Sequence, residues 1–79
     1  MVYDDDDEEV GARVRAIRER MGLTQHDVMM RSEGRLRSSM ISKLERGRLR
    51  WTVSRVREFA ALLGVTVAEV MGESDTAAA

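Results

Sequence analysis

Apolar residues fall at Val10, Val14, Ile17 and Met21, a spacing that places them along one side of an α-helix. Arg13, Arg15, Arg18, Glu19 and Arg20 fill the other faces, which reads as an ordinary solvated surface, and Gly22 supplies a stop. Thr24 then stands as an N-cap with Asp27 three residues on, an approximate capping box. It predicts a second helix from Gln25 to Arg31 or Ser32 that buries Val28 and Met29, broken at Gly34. Ser38 or Ser39 is placed to cap a third helix, with Ile41 and Leu44 inward, Met40 partly so, and an end near Arg46 at Gly47. Thr52 caps a fourth, whose inner stripe is Val53, Val56, Phe59 or Ala60, and Leu63, with Gly64 behind it. Thr66 and Glu69 form a second capping box ahead of a short fifth helix, VAEVM, closed by Gly72. Outside this pattern, residues 1–9 read as a disordered acidic arm and residues 73–79 as a frayed tail, leaving one domain over 10–72.

Composition reinforces an all-α fold. The chain has no proline, three aromatic residues among 79, and many Arg, Glu, Leu, Met, Val and Ala. A chain this short buries only about 60% of its unfolded surface, so its helices must pack efficiently around one small core. There is no cysteine and only one histidine, His26, which leaves no ordinary zinc site and no disulfide. No apolar run approaches bilayer length, and MVYDDDDEEV is acidic where a signal peptide is basic and then apolar. The expectation is a cytoplasmic protein without membrane contact. Catalysis finds no support either: there is no nucleophile–base pair, no glycine-rich phosphate loop and no metal cluster, and no cofactor is expected.

Charge changes the picture more than composition does. The formal net charge is −1, yet residues 1–9 carry six acids while residues 31–58 carry eight arginines and Lys43 against three glutamates. The foldable part is basic and its tails are acidic, so the overall pI of about 5.8 conceals a cationic surface. That surface surrounds two short helices joined by a glycine-containing turn, the layout of a helix-turn-helix. Such a pair supports its second helix so that it can enter the major groove of DNA, about 12 Å wide. Ile41 and Leu44 point inward, while Ser38, Ser39, Ser42 and Lys43 point outward between Arg35, Arg37, Arg46 and Arg48. Phosphates attract such a rim by charge and by hydrogen bonds.

With these segments in view, VGARVRAIRERMGLTQHDV, MISKLERGR and VREFAALLGVTVAEVM together resemble the Cro/C1-type helix-turn-helix family, also called XRE or lambda-repressor-like. The likeness spans residues 10–72. It implies a compact five-helix DNA-binding domain with the helix-turn-helix at helices 2 and 3. The chain departs from the family pattern between Gln25 and Ile41, where MRSEGRLRSS is longer than usual. That extended SEGRLR turn, with ERG and GVTVAEV, resembles the BldD-like branch of the family. Members of that branch add a C-terminal dinucleotide-sensing domain, which these residues are not expected to supply, so nucleotide sensing is not carried over.

The resemblance implies roles for particular residues. Thr24 and Gln25 open helix 2, where the family's glutamine binds a phosphate and steadies the recognition helix. Ser38, Ser39 and Ser42 occupy groove-facing places, and Met40 is placed to touch a thymine methyl. Lys43, Arg46 and Arg48 match phosphate contacts, whereas the lengthened turn leaves Arg35 and Arg37 open between backbone and guanine-edge contacts. The implied function is a transcriptional regulator, a repressor, on a palindromic operator. Its partner would be double-stranded DNA, bound as a homodimer that forms off or only on DNA, with Val67, Val70 and Met71 as a dimer surface.

A second class stays open at this point: a protein-interaction module, such as an antitoxin or anti-repressor, using the acidic arm or the surface around Trp51. Trp51 reads equally as cover for the seam between helices 3 and 4, and Glu45 as an acid held by neighbouring arginines or amides. The arm itself has three readings: a solubilising tail, a competitor folded over the basic face, or a docking site for a basic protein partner.

Overall fold

In the computed structural model, which describes residues 7–73, α1 spans Asp7–Arg20, α2 Gln25–Arg31, α3 Ser38–Glu45, α4 Val53–Leu63 and α5 Val67–Met71. The remainder of the expected acidic arm, residues 1–6, and the tail from 74 on lie outside the described residues. α1 begins three residues earlier than its apolar stripe. Asp7, Glu8 and Glu9 form its acidic first turn, where the positive end of the helix dipole favours carboxylates. Charge patterning hid this boundary, because a run of acids looks solvated whether or not it opens a helix.

The α1 stripe packs as expected through Val10, Val14 and Ile17, but Met21 does not join it. The helix has ended at Arg20, and Met21 lies in the following turn with 44% of its surface exposed. α1 crosses α3 closely because residue 11 is glycine: a Cβ there would sit 2.3 Å from the Leu44 carbonyl oxygen. Ile41 and Leu44 of α3 are fully buried and meet this stripe together with Val28, Val56, Phe59, Ala60, Leu63 and Val70. Each of these side chains larger than alanine contributes about 1.5–3 kcal/mol by leaving water.

The α2–α3 turn is longer than a tight connection but well tied. Ser32 is buried at its start, where its hydroxyl donates to the Met29 carbonyl at 2.6 Å and accepts the Leu36 N–H at 3.0 Å. Leu36 is thereby carried into the core, with 2% of its surface exposed. Neither residue stands out in the sequence, since a lone leucine in SEGRLR has no periodic neighbours. The expected serine cap on α3 is replaced by Arg37, which occupies the N-cap position in extended conformation without a side-chain cap. Ser38 already belongs to the first turn.

Trp51 closes the seam between α3 and α4. Its ring is fully buried, meets Phe59 edge to face at 4.9 Å, and donates its indole N–H to the Leu44 carbonyl at 3.0 Å. Thr52 caps α4 by accepting the Arg55 N–H, and Thr66 and Glu69 form the capping box of α5. Among the described residues no buried side-chain nitrogen or oxygen lacks a partner.

Candidate nucleic-acid interface

α3 is anchored on one side by an ion pair and presents its other side to solvent. Glu45, at its last turn, is buried, and both its oxygens are used. Arg18 of α1 donates from Nε to Oε2 at 2.7 Å and from Nη2 to Oε1 at 3.0 Å, a bidentate fork. Gln25, the first residue of α2, donates from Nε2 to Oε1 at 3.1 Å. Three helices therefore converge on one carboxylate. The hydrogen bonds that Arg18 donates to Glu45 hold its guanidinium above the ordinary value, outweighing the opposing effect of burial.

Arg18 is thus a buried structural cation, with 8% of its surface exposed, and not the solvated helix residue that its position suggested. It also donates to the Leu23 carbonyl at 2.8 Å. Arg13 departs from the solvated reading in the same way, reaching the Val70 carbonyl at the end of α5. Arg31 likewise reaches the end of α4, donating to the Leu62 carbonyl. Each guanidinium satisfies a carbonyl at the end of a helix or in the turn beyond it, where positive charge is favoured. Three of the chain's twelve arginines are spent in this way on the fold.

A group of exposed cations flanks α3. Ser39 and Lys43 are exposed on its outer side, Ser38 and Ser42 half-buried beside them, and Arg37, Arg46 and Arg48 exposed at its two ends. Among the described residues no carboxylate lies within ion-pair distance of Arg37, Lys43, Arg46 or Arg48. Ser42 and Arg46 join Gln25, Arg15, Arg18 and Glu45 around a polar crevice of about 130 Å³ between α1, α2 and α3. Thr24 is exposed at the rim of α2, with its hydroxyl accepting the Asp27 N–H and its own N–H donating to Asp27.

Two expected site residues face elsewhere. Arg35 donates from Nε to the Ser32 carbonyl and lies 3.8 Å from Glu58 of α4, so it turns toward α4 and away from the ridge. Met40 is half-buried against the core, its sulfur 3.5 Å from the Arg55 guanidinium. A second hollow, about 480 Å³ and open, is also on this flank, bounded by Arg35, Ser54, Arg57, Glu58, Ala61 and Leu62. It does not coincide with the α3 ridge. The Trp51 ring is fully buried and offers no contact surface of its own. Among the described residues no cluster of His, Cys, Asp or Glu could hold a metal, and no helix is long and apolar enough to cross a membrane.

Comparison with known proteins places this geometry in company. The helix-turn-helix domain family matches residues 9–71. The fold superposes on a crystal structure of the DNA-binding domain of BldD with a TM-score of 0.78 at 37% identity, covering 85% of this chain and 94% of that one. The S. venezulae BldD DNA-binding domain gives a TM-score of 0.75 at 38% identity, over 84% and 96% of the two chains. The clp gene regulator ClgR from C. glutamicum gives 0.78 at 30% identity, over 92% of each. Among curated proteins no relative matches.

Proposed function

The chain belongs to the helix-turn-helix domain family, and from that premise we propose that it is a sequence-specific DNA-binding transcriptional regulator acting as a repressor. α3 enters the major groove, and the bound protein obstructs polymerase or another factor. Ser39 and Ser42 face base edges, while Arg37, Lys43, Arg46 and Arg48 meet phosphates on either side of the groove. Thr24 and Gln25 approach the backbone at the start of α2, with the Gln25 amide already fixing α3 through Glu45. Binding and release are the whole of the activity proposed, without catalytic group, cofactor or metal.

The observation that carries this reading is the pairing of a rigidly anchored helix with exposed cations that have no acid partner among the described residues. A merely solvated surface has no need of a three-helix lock behind it. One module reads few base pairs, so two copies would bind half-sites about 34–36 Å apart. Val67, 43% exposed, and Met71 supply an apolar contact between copies on α5, whereas Val70 is spent in the core.

A salt titration of binding to mixed-sequence duplex DNA tests the reading. Affinity should fall by orders of magnitude between about 50 and 200 mM salt, as several phosphate contacts require. Lys43→Ala and Arg46→Ala should each weaken binding and reduce the log–log salt slope by about 1, with the unfolding midpoint unchanged. Binding that is absent or indifferent to salt would remove the proposal. Selection of bound fragments from random DNA then reads the symmetry: a recovered palindrome supports the paired arrangement, and a single half-site refutes it.

A further inference from the structure

The polar crevice between α1, α2 and α3 holds more positive charge than the fold itself uses. Arg15, Arg18 and Arg46 line it against one carboxylate, Glu45. Glu45 is matched by the fork from Arg18 and by the Gln25 amide, so Arg15 and Arg46 are surplus to it. At about 130 Å³ the space is well below the roughly 300–1,000 Å³ of a small-molecule pocket, and its walls are polar. Such a hollow suits a compact anion.

Gln25 narrows the identification. Its amide carries two N–H groups and directs one at Glu45, leaving the other for an outside acceptor. A neutral amide with a carboxylate behind it needs a cation beside it to hold a phosphate. Arg18 cannot serve, because its Nε and Nη2 are bonded to Glu45 and its Nη1 to the Leu23 carbonyl. Arg15 can. Its partner among the described residues is Glu19, one turn further along α1 at 3.1 Å, and both side chains are more than half exposed. Exposed pairs at this spacing contribute little and are readily exchanged.

We infer that Arg15 of α1 is a DNA-phosphate contact: it exchanges Glu19 for the phosphate that the Gln25 amide approaches at the mouth of the crevice. The inference rests on the DNA-binding reading above and extends the bound surface from α2 and α3 to α1. A guanidinium suits the exchange, since a phosphate offers it the same pair of acceptor oxygens as a carboxylate. Glu19 is then the group that DNA displaces. Because Arg15 meets phosphate and no base, its contribution is the same on any sequence and appears in the salt dependence. One contact is worth about 0.9 in the log–log slope, or about 3.5-fold in affinity over a fourfold change in salt.

The test compares the full chain with its variants on one mixed-sequence duplex between about 50 and 200 mM salt. Arg15→Gln should bind several-fold more weakly at the lower salt, with a slope shallower by about 1 and an unchanged unfolding midpoint. Arg20→Gln makes the same change of charge at an exposed position of α1 outside the crevice, and should keep the parent's slope. Glu19→Gln should bind more tightly than the parent, and most of that gain should vanish when Arg15→Gln is added. Parent-like affinity and slope for Arg15→Gln would overturn the inference while leaving the DNA reading intact. So would equal losses from Arg15→Gln and Arg20→Gln, because net charge alone would then account for both. An equal gain from Glu19→Gln with and without Arg15 would overturn the exchange. A parent that shows no salt-dependent binding to DNA overturns the DNA reading first, and this inference with it.

Discussion

Glu45 is the residue on which α1, α2 and α3 depend together. Removing it leaves the Arg18 guanidinium buried and unpaired, the costly half of breaking a buried pair. Glu45→Ala should therefore destabilise the domain by about 3–5 kcal/mol, whereas Arg18→Met combined with Glu45→Leu should cost much less, since apolar replacement of both partners is often nearly neutral. Urea unfolding of the two variants beside the parent measures the difference, and equal losses would contradict it. The sequence shows Glu45 as an acid among arginines but cannot show which arginine holds it. Arg18 and Glu45 are distant in the chain, and they meet only because Gly11 lets α1 lie against the end of α3. Exposure is a tertiary property, and an arginine on the wrong face of a periodic stripe conceals it.

At the scale of the element, helix starts were legible wherever a side chain makes the cap. Thr24, Thr52 and Thr66 cap α2, α4 and α5 as their positions predict. α3 was misjudged because its start is fixed by packing, with Leu36 buried just ahead of it and Arg37 at the N-cap. The α2 box has a pH signature. The Thr24 backbone N–H, and then its hydroxyl, hold the Asp27 carboxyl below the ordinary aspartate value of 3.8. A carboxyl whose folded value lies below its unfolded one stabilises the fold above the unfolded value and loses that contribution as pH falls through the folded value. The stability difference between the parent and Asp27→Ala should thus be constant near neutrality and close as pH drops below about 3.8. Urea midpoints taken at neutral and acid pH give the comparison; a difference that persists unchanged in acid would refute the box as its source.

At the scale of the fold, the five helices of the described residues and their order follow from periodicity and caps, while their mutual placement follows from contacts that no local pattern announces. The junction of the α1 first turn with the loop at Gly47 is the clearest case. Gly47 and Gly34 both sit in the left-handed region, at φ of 74° and 81°, but Gly34 has open space around it and Gly47 has the Glu8 backbone. Gly34→Ala should cost only the conformational penalty, about 1–2 kcal/mol. Gly47→Ala should cost more, and should also raise amide exchange in the first turn of α1, which Gly34→Ala should leave alone. Equal behaviour of the two would mean that the junction carries no stability. The candidate site divides along the same line: Lys43, Ser39 and the flanking arginines were visible as a polar face, but the turn of the exposed Arg35 toward α4 depends on Ser32 and Glu58, residues set by the tertiary fold.

The burial of Leu36 within the α2–α3 turn has a bearing on how such a domain diversifies. Its side chain and the Ser32 hydroxyl fix the entry of α3 from behind, so the outward residues of that helix are relieved of any duty in placing it. Substitution can explore new targets at positions 39, 42 and 43 while the turn stays constant, and a transplant between relatives with turns of different length would succeed only if residues 32–37 travelled with the helix.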